Sequence, residues 1–140
     1  MLETEPQIID RYVKTGRVKL ILRHILDYGA PSLLASEAAE CAGERGRFWP
    51  MHELLFQRQD AVWTATPELF RQWARADLKI DDGMFASCLN SGKYKSKVEG
   101  IYAAARASGV RVRPTFDINE KRVQGALSFD AFRQILDALP

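Results

Sequence analysis

The cysteines and histidines of this 140-residue sequence, side chains that can attack a bond, bind a metal or titrate near neutrality, number four: Cys41, Cys88, His24 and His52. The cysteines lie 47 positions apart, so they form neither a Cys-x-x-Cys pair nor a zinc-type cluster. Each falls on the apolar side of an expected helix, Cys41 with Leu34 and Ala38, Cys88 with Phe85 and Leu89. That placement predicts two buried free thiols acting as small hydrophobes. A disulfide between them requires a fold that brings their Cα atoms within about 7 Å. His52 is one helical turn after Phe48 and one before Phe56, which predicts a ring packed at the core edge. Glu53 adjoins it, but no converging set of ligands accompanies it, so no metal site is expected. His24 titrates near neutral pH if solvated, and helix capping or simple exposure is its expected role. There is no Gly-rich phosphate loop and no nucleophile elbow, and no cofactor is expected.

These residues have to be positioned by a single domain. The sequence is 46% apolar, 27% charged and 10% aromatic, which excludes a disordered chain. Its net charge of +2 excludes a nucleic-acid polycation. Apolar runs such as Leu20-Ile21-Leu22 are far short of the roughly 20 residues of a membrane span. The opening Met1-Leu2-Glu3-Thr4-Glu5-Pro6 is acidic and unlike a signal peptide.

Residues 4–14 predict a helix, with Thr4 and Gln7 at capping-box spacing, Ile8, Ile9, Tyr12 and Val13 as its stripe, and Gly16 as its end. Residues 17–25 predict a strand, Val18, Leu20 and Leu22 on one face and Ile21 on the other, with both faces at least partly covered. Helices follow over 32–45 and 48–59, then from Thr66-Pro67, from Asp81 and from Tyr94, the last ended by Gly109. Thr115–Ile118 and Arg122–Gln124 read as a hairpin turning at Asn119-Glu120, and Ser128 caps a final helix. Trp49, Trp63 and Trp73 are expected in core and inter-helix packing. Residues 93–124 hold eight basic and three acidic side chains, a local +5 that reads as a solvated face, since stacking aromatics are not interleaved.

The stretches Tyr12–Leu20, Glu37–Ala42, Phe48–Phe56, Cys88–Tyr94, Gly109–Phe116 and Gly125–Leu136, in this order, resemble the DsbA-like branch of the thioredoxin superfamily. The resemblance covers nearly the whole chain. It implies an α/β architecture: one domain over 1–140, an incomplete thioredoxin-like fold with a helical insertion at about 31–108. Members begin with a strand that runs into Cys-x-x-Cys at a helix N-terminus, where the helix dipole stabilises the attacking thiolate. Here the first residues resemble the middle of that helix, and neither Cys41 nor Cys88 falls at the matching place. The resemblance makes Pro114 the cis-proline of the family, with Val112 and Arg113 presenting backbone groups to an extended substrate peptide. The family most often has Thr before this proline, and Arg113 stands here.

The implied function is thiol–disulfide exchange on protein substrates, in a chain expected to be truncated and inactive for want of its dithiol. The alternative is a non-redox peptide-interaction module. The strand missing from the resemblance leaves two sheet edges unpaired. At about 1–3 kcal/mol per buried unsatisfied group, that deficit predicts a homodimer or a strand-swapped assembly. The family works in oxidising, extracytoplasmic space such as the periplasm.

Overall fold

The computed structural model describes residues 3–140 and divides them into two compact units, residues 23–105 and the pair of segments 3–22 and 106–140. The elements are α1 (Thr4–Ile8), a π-helical turn (Ile9–Val13), α2 (Ala30–Gly43), α3 (Phe48–Gln57), α4 (Gln59–Val62), α5 (Pro67–Ala76), α6 (Asp82–Asn90), α7 (Lys95–Ala107), β1 (Thr115–Ile118), β2 (Lys121–Gln124) and α8 (Phe129–Asp137).

In the unit that joins the chain's two ends, Ile8 and Tyr12 pack with Phe132 and Leu136 of α8, flanked by Val18, Phe116, Ile118 and Leu127. The rings of Phe116 and Phe132 meet edge to face, 4.7 Å between centroids. Tyr12 is fully buried, and its hydroxyl donates to Asp137 Oδ1 at 2.8 Å. β1 and β2 form an antiparallel hairpin that pairs Thr115 with Gln124 and Ile118 with Lys121. Its turn places Asn119 at φ 52°, a left-handed conformation that asparagine tolerates. The Ser128 side chain caps α8 by accepting from Ala131 N–H.

Two readings at this end are corrected. Thr4 does not cap the first helix: Glu3 is the N-cap residue without a side-chain bond, and Gln7 Nε2 donates to the Glu3 carbonyl at 2.8 Å. Residues 17–25 form no strand. The backbone of residues 19–25 makes no backbone–backbone hydrogen bond to another described residue, and Ile21 is 63% exposed instead of covered. Alternating apolar residues favour extended backbone, but a strand exists only where a neighbouring backbone completes its ladder.

The other unit is helical. Ala38, Ala39 and Ala42 line the buried face of α2, and their small side chains admit Met51, Phe70, Trp73, Phe85 and Leu89 into one core. Thr66 caps α5 by accepting from Leu69 N–H, with Pro67 at the first helical position, and Asp81 caps α6 by accepting from Met84 N–H. Trp73 is buried, but Trp63 is 45% exposed, a departure from core packing: its ring stands edge-on to the also exposed Tyr28 at 4.7 Å. Among the described residues, no helix is long and apolar enough to cross a membrane.

Candidate functional site

The loop from Val110 to Pro114 leads into β1. Its start is held by an arginine that reaches backward: Arg111 Nη1 donates to the carbonyls of Arg106 at 2.6 Å and Val110 at 2.9 Å. Its end is held by Gly125 N–H, which donates to the Pro114 carbonyl at 2.8 Å, and by the Thr115 hydroxyl, which donates to the Val112 carbonyl. The Arg113–Pro114 peptide is cis. Val112 is 44% exposed, Arg113 is exposed and Pro114 is half-buried. The loop therefore offers a short apolar and cationic surface on a backbone anchored at both ends.

The cysteines are not free thiols. Cys41 of α2 and Cys88 of α6 form a disulfide with their Cα atoms 5.9 Å apart. Both are buried in the helical core, at 3% and 6% exposure. The expectation of free thiols fails because helical periodicity shows that each residue faces a core, but not which two helix faces meet. A shallow cleft of about 450 Å³ borders Cys88, lined also by Glu44, Asp81, Gly83, Met84, Ser87 and Lys93. Lys93 pairs with the Glu44 carboxylate, which also accepts from the Tyr94 hydroxyl. The bonds from Lys93 and Tyr94 hold the Glu44 carboxyl below its usual range.

His24 is neither a cap nor exposed. It is buried, with Nε2 3.0 Å from Glu40 Oε1, while Lys97 Nζ reaches Glu40 Oε2 at 2.6 Å. Burial pushes the His24 pKa down, outweighing the opposing pull of Glu40. Burial alone would raise the Glu40 carboxyl, but the bonds from Lys97 and His24 bring it below its usual value. These three residues come from a loop, α2 and α7, a meeting that no local pattern announces. His52 is buried among Phe48, Trp49 and Phe56. One turn before Cys41, Glu37 is buried with Oε1 lacking a hydrogen-bond partner, and burial raises its pKa. Among the described residues, no three His, Cys, Asp or Glu side chains cluster as metal ligands would.

Several charges of the basic tract are tied locally. Arg122 makes a two-pronged pair with Asp117 and also donates to the Ser108 carbonyl, Lys97 is held by Glu40 and Lys93 by Glu44.

Comparison with known proteins gives this geometry its class. The thioredoxin family model, described as "Thioredoxin", matches residues 1–138. The chain belongs to the thioredoxin family, and its architecture is an α/β, incomplete thioredoxin-like fold. It is 33% identical over 131 residues to a protein named Na(+)/H(+) antiporter NhaA 3 of Salinispora tropica, a match spanning 92% of this chain and 20% of that protein. A Na(+)/H(+) antiporter NhaA 1 of Salinispora arenicola is 29% identical over the same shares. A Na(+)/H(+) antiporter NhaA of Herminiimonas arsenicoxydans is 31% identical over 86% of this chain and 19% of its own length. The chain thus spans about a fifth of the length of the curated relatives it matches.

Proposed function

We propose that this chain is the substrate-facing and helical part of a DsbA-like protein-disulfide oxidoreductase, one domain over 1–140 with its helical insertion at about 31–108, and that alone it catalyses no dithiol exchange. The carrying observation is the Cys41–Cys88 bond: the two cysteines of the sequence are consumed in one buried bridge, so no adjacent dithiol is left to turn over. Val112, Arg113 and Pro114 are the residues that face an extended protein or peptide substrate, and the exposure of Val112 and Arg113 on an anchored loop supports that role. A buried disulfide also fits an oxidising, extracytoplasmic setting. Sodium–proton exchange, named for relatives of which the chain covers a fifth, is not part of this reading.

Insulin reduction by dithiothreitol tests it. The chain is expected to leave the rate at the blank, and the Cys41→Ala and Cys88→Ala variants to do the same. Acceleration that one variant abolishes would overturn the proposal. Intact mass and the N-terminal peptide of the native protein then distinguish two forms of it: a larger protein carrying Cys-x-x-Cys is an active oxidoreductase, and a mass of 15.9 kDa is a redox-inert relative.

The second reading, a peptide-interaction module without redox chemistry, is favoured by the exposed Val112 and Arg113 at a loop whose unit contains no cysteine. In either reading we propose that a second copy of the chain pairs with the open backbone of residues 19–25. Sedimentation equilibrium is expected to show a concentration-dependent homodimer, and a monomer at all concentrations refutes the pairing.

A further inference from the structure

We propose that Cys88 is a covalent modification site for low-molecular-weight thiols, reached through the cleft beside α6 while Cys41 stays shielded. Of the two bridged sulfurs' residues, only Cys88 lines the cleft. On the α6 side the cleft is lined by Gly83, which has no side chain, by the exposed Met84, and by Ser87, one residue before Cys88, whose exposed side chain is small. The rim charges do not repel an incoming thiolate as a block. Glu44 is neutralised by Lys93, and the Asp81 carboxylate is engaged at the α6 N-terminus by Met84 N–H at 2.9 Å. A volume of about 450 Å³ accommodates a molecule the size of a tripeptide thiol.

The exchange is balanced without an external oxidant. The thiolate attacks Cys88 Sγ, an S–S bond to the incoming sulfur forms, and the Cys41–Cys88 bond breaks with its electron pair leaving on Cys41 Sγ. Cys41 leaves as a residue 3% exposed in the buried cluster that also holds Ala38, Ala42 and Leu89, where a thiolate is poorly solvated, and it takes the proton that the incoming thiol released. Protonated, Cys41 is a weak nucleophile. The mixed disulfide on Cys88 therefore persists until a second small thiol attacks it and leaves both cysteines reduced. Turnover of protein substrates is not required, so this site is independent of the oxidoreductase reading.

The experiment incubates the folded chain with reduced glutathione, quenches with acid, alkylates the released thiol after denaturation and maps both cysteines by mass spectrometry. Glutathione is expected on Cys88 and the alkyl label on Cys41, by at least tenfold over the reverse. An even split, a preference for Cys41 or no adduct on the folded chain overturns the proposal. Ser87→Trp, which fills the cleft from an exposed helix position, is expected to slow native-state exchange several-fold while leaving the rate in guanidinium unchanged. An unchanged native rate would mean that exchange runs through unfolding and not through the cleft. The site selectivity in the unaltered chain decides the matter even if that variant folds poorly.

Discussion

Replacing both bridged cysteines with alanine is expected to destabilise the helical unit far more than the loss of two sulfur atoms from a core. The bridge closes a loop of 47 residues between α2 and α6. In the chain-entropy account, a loop of that length restricts the unfolded ensemble by about 4 kcal/mol. Each truncated side chain removes one buried heavy atom, comparable to a methyl deletion, at about 0.5–1.5 kcal/mol. The expected loss for Cys41→Ala/Cys88→Ala is therefore about 5–7 kcal/mol, a large share of the roughly 5–15 kcal/mol that holds a domain folded. Trp49, Trp63 and Trp73 all lie within residues 23–105, so tryptophan fluorescence reads this unit alone. With a urea dependence of about 2 kcal/mol per molar, the unfolding midpoint should fall by about 2.5–3.5 M. A fall under about 0.5 M would refute the reasoning, because the bridge would then be joining helices already held by Met51, Phe70 and Phe85.

Glu37→Gln is expected to stabilise the helical unit by about 1 kcal/mol at neutral pH, since a buried carboxylate oxygen without a partner costs free energy. Burial raises the Glu37 pKa above its ordinary 4.5, so the parent chain binds the proton more tightly when folded. Its stability therefore declines as pH rises from about 4.5 toward the raised value, a decline that urea titrations of the variant should lack. His24 works in the opposite sense. Its pKa lies below 6.5 when folded, among Glu40, Lys97 and His52, so the unfolded chain binds more protons and stability falls as pH drops through 6.5. His24→Gln should flatten that part of the curve. Ser128→Ala should cost the unit that holds α8 about 1 kcal/mol through the lost cap, measured by circular dichroism because no tryptophan reports on it.

What the amino-acid sequence determined by itself are the features decided within one or two turns of chain. Thr66-Pro67, Asp81 and Ser128 start helices because each side chain reaches an N–H three residues ahead, and Gly16 and Gly109 stop them at φ 76° and 87°, where a Cβ would clash with its own backbone. The hairpin at Asn119-Glu120 is local in the same way. The order of stretches likewise pointed to the thioredoxin superfamily, whose family model matches residues 1–138. Tertiary structure alone decided the partners. Cys41 meets Cys88 only because the α2 and α6 faces share one core, and His24, Glu40 and Lys97 converge from three elements distant in sequence. Residues 17–25 mark the boundary between the two kinds of information. Their alternation sets which side chains share a face, but ladder bonds belong to two backbones at once, and a single segment cannot specify the second.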